Sequence, residues 1–203
     1  MIAIIDYGVG NLFSLSSSLR YLGLDNQITG DAEEVRRADR IILPGVGAFA
    51  DAAQKLQKTG LVETIKEQTA AGRPLLGICL GMQLLFEKSY EYGEHSGLGL
   101  IAGQVCPLEN DLTQPLKVPH IGWNSLHLTE AGHPLLKYNK EGDYMYYVHS
   151  YYAKNCREST LAWSEYEVEV PGLVGAGNVF GAQFHPEKSG SAGLDLLRAF
   201  AEL

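Results

Sequence analysis

The sequence predicts an α/β fold built on a parallel sheet, with antiparallel strands contributed by its second half. Three observations carry this. Short, continuously apolar runs stand at Ile2 to Ile5, Ile41 to Leu43 and Leu75 to Ile78, as expected of strands covered on both faces. Amphipathic helical patterns separate these runs, the alternation of β-α-β units. From about Gln104 to Phe184 the strand-like segments follow one another without long helices between them, which suits strands added to that sheet or folded over one edge.

Taken in order, Ile2 to Asp6 is the first strand, and the turn Tyr7-Gly8-Val9-Gly10 ends it. Asn11 is a candidate N-cap for a helix whose apolar stripe is Leu12, Leu15, Leu19 and Leu22, and Gly23 stands where a C-terminal glycine cap belongs. The second run, Ile41 to Leu43, stops at Pro44-Gly45-Val46-Gly47. An alanine- and lysine-rich helix follows, Gly60 interrupts it, and a second helix runs from about Leu61 to Ala71. Leu75 to Ile78 then delivers Cys79. In the second half the clearest strand-like segments are Val118 to Leu128, Tyr144 to Tyr152 and Val179 to Phe184. The chain ends in a helix with Ser189 as candidate N-cap and a stripe of Leu194, Leu197 and Phe200 or Ala201. No linker, repeat or low-complexity segment divides the sequence, so residues 1–203 are expected to form one domain.

Composition narrows the function classes. A formal net charge of -8 lacks the basic footprint of a nucleic-acid binder. No apolar run is long enough to span a bilayer, and the N-terminus lacks a signal peptide's basic and apolar regions. Cys79, Cys106 and Cys156 form an odd, sparse set, which suggests reduced thiols and a cytoplasmic location; their spacing matches no zinc pattern.

The most informative stretch is Leu75-Leu76-Gly77-Ile78-Cys79-Leu80-Gly81-Met82-Gln83. A buried strand runs into a cysteine and at once into helix-forming sequence, with glycine on either side. That is the layout of a nucleophile elbow, where a sharp strand-to-helix turn lifts the reactive group to the sheet's carboxyl edge. A helix N-terminus behind Cys79 would favour its thiolate. Alone, Cys79 also reads as a buried structural cysteine. The second stretch is Gly181 to Ser189, where an apolar strand leads into His185-Pro186-Glu187. Side chains two residues apart on extended backbone share a side, so Glu187 could hold the imidazole of His185. Cysteine, histidine and carboxylate at converging strand ends have the logic of a catalytic triad. Alone, a histidine beside proline also reads as a surface turn. Cys106 and Cys156 lack such context and read as structural; His95, His127, His133 and His149 read as surface or packing residues.

Gly77 to Gln83 together with Phe184 to Ser189 resembles the class I glutamine amidotransferase family, and the likeness extends over essentially the whole chain. Ile4 to Leu12, Leu43 to Phe49 and Val118 to Asn124 look like the subfamily that serves histidine biosynthesis. Other amidotransferases usually carry a glycine-glycine-proline type loop where this chain has Pro44 to Gly47. The resemblance implies a three-layer sandwich around a mostly parallel central sheet. It implies that Cys79 attacks the side-chain amide carbon of glutamine, that His185 protonates the leaving ammonia and then activates water, and that Glu187 orients His185. Val46, Gly47 and Leu80 would supply the oxyanion hole, and Gly45, Gln83, Glu91, Ser150 and Tyr151 would bind glutamine. The implied partner is a (β/α)8-barrel cyclase subunit that binds a phosphorylated ribulosyl nucleotide, forms a heterodimer with this chain and receives its ammonia. Asn11, His120, Trp123, Tyr146 and Lys188 would lie on the face toward it. No metal or organic cofactor is implied.

Each assignment has a plainer counterpart. Glu91 also reads as a solvated carboxylate, Trp123 and Tyr146 as core aromatics, Asn11 as a helix cap and Lys188 as a solvated charge. Pro44 to Gly47 reads either as a switchable loop or as a simple turn. Three other functions share features with this one: an amidotransferase serving another acceptor, a non-catalytic protein on the same scaffold, and a stand-alone hydrolase of γ-glutamyl compounds. The presence of all three triad residues argues against the second.

Overall fold

A computed structural model describes residues 1–203. The first half is a run of β-α units: β1 (Ile2–Ile5), α1 (Leu12–Tyr21), β2 (Asn26–Thr29), α2 (Ala32–Arg37), β3 (Arg40–Gly45), α3 (Phe49–Thr59), α4 (Leu61–Ala70), β4 (Leu75–Cys79) and α5 (Leu80–Leu85). The second half is mostly strands: β5 (Phe86–Ser89), β6 (His95–Ser96), β7 (Ile101–Pro107), β8 (His120–Ser125), β9 (His127–Leu128), β10 (Tyr144–His149), β11 (Tyr151–Lys154), β12 (Thr160–Tyr166), β13 (Val168–Ala176) and β14 (Val179–Ala182). Helix α6 (Gly190–Glu202) closes the chain.

Eight strands form the central sheet in the order β2-β1-β3-β4-β14-β13-β12-β9. The pairs from β2 to β14 are parallel, and those from β14 to β9 are antiparallel. Alternation along the strands divides the core in two. Ile5, Ile41, Leu43 and Leu75 pack on one face with Phe49, Leu56, Leu61 and Ile65 of α3 and α4. Ile2, Ile4, Ile42, Leu76 and Ile78 pack on the other with Leu15 and Leu19 of α1 and Leu196, Leu197 and Phe200 of α6. The result is the expected sandwich, with every residue of β1 and β4 buried.

The second-half strands do both things expected of them. β13, β12 and β9 extend the central sheet, while β10-β8 and β11-β7-β5-β6 form two smaller sheets. β14 itself pairs parallel with β4 in the register Ala182↔Ile78, which sets the residues after both strands side by side.

Several expectations need correction. The elements β2 and α2 were not expected; α2 is capped by Asp31, whose carboxylate accepts from the N–H groups of Glu33 and Glu34. Asn11 and Ser189 stand at helix N-caps, but neither side chain makes a capping hydrogen bond. The buried stripe of α6 is Gly193, Leu196, Leu197, Ala199 and Phe200, and Leu194 is only half-buried. No helix is long and apolar enough to cross a membrane.

Candidate active site

The turn from β4 into α5 is strained at the cysteine. Cys79 has φ 54° and ψ -111°, a backbone conformation that a side chain resists. The flanking glycines are required by close approach. A Cβ on Gly81 would lie 1.8 Å from the Leu43 carbonyl oxygen, and one on Gly77 would lie 2.6 Å from the Gly81 oxygen. The turn is therefore wedged against β3, and the strain is held by that packing. Cys79 is 7% exposed, with its sulfur 3.9 Å from the carbonyl oxygen of Val148. Helix α5 has six residues, so its dipole offers the thiolate less than a full-length helix would.

Across the β4-β14 pair, the chain leaves β14 through Gln183 and Phe184 to His185. Nδ1 of His185 lies 2.9 Å from Oε1 of Glu187, and both side chains are 3% exposed. Burial disfavours the imidazolium, but hydrogen bonds to Cys79 and then Glu187, with the charges of both, outweigh it and raise His185 to about 9. The acceptor at Nδ1 leaves Nε2 for the sulfur. The other Glu187 oxygen, Oε2, has no hydrogen-bond partner.

These groups open onto a cleft of about 610 Å³ lined by Val46, Gly47, Cys79, Leu80, Gln83, Glu91, Ser150, Tyr151, His185 and Lys188, among others. It gathers most of the residues expected at the site from segments far apart in the chain. Glu187 does not line it, being buried beside His185, and neither does Gly45. Gly45 ends β3 beneath the cleft, where a Cβ would lie 2.8 Å from the Gly81 nitrogen and 2.9 Å from the Tyr7 hydroxyl, so its smallness serves packing rather than ligand contact. Tyr7 donates to the Pro44 carbonyl at 2.8 Å and ties down the start of the loop. Gly47, at φ 97° with open space where a Cβ would stand, is where the loop has freedom.

Two substrate candidates have structural ties. The Glu91 carboxylate accepts from the N–H of Phe49 at the start of α3, so it is not a freely solvated loop group. Gln83 donates through Nε2 to the Tyr151 carbonyl at 3.0 Å and to Oε1 of Gln183 at 3.1 Å, which leaves its own Oε1 as acceptor.

On the face expected to meet a partner, β8 and β10 form a ribbon in which Trp123 pairs with Tyr146 and Ile121 with Val148. Trp123 is 55% exposed and meets Tyr146 edge-on, and Lys188 Nζ lies 6.0 Å from the Tyr146 ring centre. Ile121 and Tyr144 are also exposed and widen the patch beyond the expected residues. Asn11 is half-buried at the start of α1. His120 does not belong to this surface: it is 4% exposed and stacked between Tyr147 and Tyr166. Its Nδ1 meets Nε2 of His149 at 3.0 Å, and Nδ1 of His149 donates to the Tyr151 carbonyl. His149 is thus a buried cleft residue rather than a simple packing one. Burial pushes His120 down to about 4; burial and then the charge of His120 push His149 down to about 3.

Sequence reasoning also missed Gln183, which is fully buried with Nε2 3.9 Å from the Cys79 sulfur. Its place two residues before His185 was the available signal; Glu187 itself reaches the imidazole from a 3-10 turn, Pro186–Lys188, rather than from the extended backbone the sequence suggested.

The model for class I glutamine amidotransferases matches residues 3–202, and the chain belongs to that family. Among its relatives, the imidazole glycerol phosphate synthase subunit HisH of Listeria monocytogenes serovar 1/2a is 51% identical over 203 residues, covering 100% of this chain and 96% of that protein. The HisH subunit of Caldanaerobacter subterraneus subsp. tengcongensis is 50% identical over 204 residues, covering 100% and 98%. Solved structures share the fold at low identity. A glutamine amidotransferase crystal structure gives a TM-score of 0.77 at 19% identity, covering 100% of this chain and 98% of that one. PurLQS from Thermotoga maritima gives 0.76 at 18%, covering 99% and 97%.

Proposed function

We propose that this chain is the glutaminase subunit of an imidazole glycerol phosphate synthase, hydrolysing glutamine to glutamate and ammonia in the cytoplasm and passing the ammonia to a (β/α)8-barrel cyclase subunit. One observation carries the chemistry: Cys79 at a strained elbow and His185 line one cleft, and His185 is held from behind by the buried Glu187 at 2.9 Å. The thiol proton passes to Nε2 of His185, which Glu187 keeps free as the acceptor by receiving a hydrogen bond from Nδ1–H. The thiolate attacks the amide carbon of glutamine. The oxyanion is met by the N–H of Leu80 and by one from Val46–Gly47. His185 then protonates the departing ammonia and activates water to cleave the thioester. Gln83, through its free Oε1, and Glu91, Ser150 and Tyr151 line the space for the rest of the substrate. The chain acts as a single glutaminase domain and needs no cofactor in this scheme.

The exposed Ile121, Trp123 and Tyr144, with Lys188 and the half-buried Tyr146 beside them, support a protein partner at the cleft mouth. The loop supports control by that partner. Tyr7 and the packing of Gly45 pin its first half, and the peptide units about Val46 and Gly47 can turn. A carbonyl facing the site would leave the oxyanion one donor short, a loss of about a hundred- to a thousand-fold in rate. A partner corrects this only by as much as it binds the turned loop more tightly. The test is steady-state glutamate release by the chain alone and with a barrel subunit and its nucleotide ligand. Weak activity alone and strong stimulation in the liganded complex are expected. High activity alone without stimulation would favour a stand-alone hydrolase.

A further inference from the structure

The Cys79 sulfur lies between two fixed polar groups besides His185. The carbonyl oxygen of Val148, at 3.9 Å, can only accept and therefore favours the protonated thiol. The side-chain amide of Gln183, also at 3.9 Å, is turned to donate. An amide could in principle be reversed, since its oxygen and nitrogen have the same shape. Here the surroundings remove that ambiguity. The Tyr151 carbonyl can only accept, so the atom of Gln83 facing it is the NH2 group. The second proton of that NH2 points to Gln183, so the atom receiving it is Oε1. The NH2 of Gln183 is then left facing the sulfur.

We propose that Gln183 is a positioning residue for the nucleophile: aimed by Gln83, its N–H donates to the Cys79 thiolate and holds the ionised sulfur in place for attack. This deepens the glutaminase reading and rests on Cys79 being its nucleophile. The separation of 3.9 Å suits a neutral sulfur, and a donor gains strength once its acceptor carries charge. When the thiol proton moves to His185, the thiolate loses its hydrogen bond to Val148 and keeps the one from Gln183. The short helix α5 makes such a donor more important. The other ionisable groups around the sulfur are committed elsewhere. Tyr7 donates to Pro44, His149 bonds Tyr151 and His120, Glu91 bonds Phe49 and Glu187 bonds His185. Lys188 stands on the cleft wall. Gln183 is fully buried, so water does not compete for its protons.

The test is the pH dependence of alkylation of the full chain by iodoacetamide, followed at the Cys79 peptide by mass spectrometry so that Cys106 and Cys156 do not contribute. Gln183→Met keeps the volume and removes the donor. Gln183→Glu changes one group, keeps the acceptor for Gln83, and carries the test should methionine unfold the chain. Loss of the donor is expected to move the lower midpoint of the curve up by about one pH unit, roughly tenfold less reaction on the acid side. Glutamate should move it further, because its charge opposes the thiolate. Midpoints equal to wild type in the folded variants, even with lower melting temperatures, would overturn the proposal, since a purely structural role moves stability alone. Alkylation needs neither glutamine nor a partner. Absence of glutamine hydrolysis by the wild-type complex would instead overturn the glutaminase reading itself.

Discussion

Glu187→Gln probes the part of the site where geometry and electrostatics are most tightly joined. Oε1 of Glu187 receives Nδ1 of His185 at 2.9 Å, while Oε2 is buried without a partner. A glutamine in the same pose has two choices. With its oxygen toward His185 it keeps the working tautomer, but its NH2 then takes the place of a buried carboxylate oxygen that no group of the protein bonds. With its NH2 toward His185 it forces the proton onto Nε2, and the imidazole can no longer take the thiol proton. Either way the imidazolium loses a charged partner. A hydrogen bond to a charged group contributes about 1.5–3 kcal/mol, which at about 1.4 kcal/mol per decade is roughly a 10- to 150-fold fall in rate. His185→Ala removes the acid and base altogether and should cost more. The assay is steady-state glutamate release in the complex, with circular dichroism to verify the folds. The pH profile adds a sign. His185 stands at about 9 because hydrogen bonds to Cys79 and Glu187 overcome burial, so weakening one of them lowers its pKa. The alkaline limb, where the imidazolium is lost, should move to lower pH in Glu187→Gln. Equal residual activity in the two variants, or an unmoved alkaline limb, would refute the assigned roles.

Other expectations follow from the same geometry. Trp123→Ala and Lys188→Ala should weaken the complex by about 1–2 kcal/mol each or more, measured by titration calorimetry against the barrel subunit; unchanged affinity and unchanged stimulation in both would count against this face. Gly45→Ala places a Cβ 2.8 Å from the Gly81 nitrogen and should cost about 1–3 kcal/mol in urea unfolding, together with a fall in glutamine hydrolysis; wild-type stability would show that the loop base is not tightly packed. The His120–His149 pair is held neutral, with folded-state values of about 4 and about 3 against 6.5. Its contribution is therefore fully present above pH 6.5 and lost as pH falls toward 4 and 3. His120→Phe keeps a ring between Tyr147 and Tyr166 and cannot titrate, so its unfolding midpoint in urea should fall less between pH 7 and pH 4.5 than that of wild type. His185 has the opposite sign: its contribution is present below pH 6.5 and lost as pH rises through about 9.

The central strands were legible because burial on both faces leaves a continuous apolar record, as in Ile2 to Ile5 and Leu75 to Ile78. The edge strand β2 left none, since Asn26-Gln27-Ile28-Thr29 is mostly polar and only Thr29 is buried. Helix α2 is six residues long, too short for a periodic stripe. The site was legible where chemistry and chain geometry are local, at the elbow glycines and at the two-residue spacing of His185 and Glu187. It was not legible where burial is imposed from afar. His120 looked like a surface residue because nothing near it in sequence announces Tyr166, whose ring stacks on it at 3.9 Å. Gln183 escaped notice because its meaning depends on Gln83, 100 residues earlier. Gly45 was assigned to the ligand through the family resemblance, which does not show that it is wedged against the α5 turn.

The most direct measurement of the central claim compares two ammonia sources in one complex. Cys79→Ala removes the sulfur and leaves a small side chain at the elbow, so the fold and the partner face should persist. Synthesis by the barrel subunit would be followed with glutamine and, separately, with ammonium salt. Loss of glutamine-dependent synthesis and of glutamate release, with ammonium-dependent synthesis at the wild-type level, is the predicted result. Glutamate release near the wild-type rate from the variant would contradict the account.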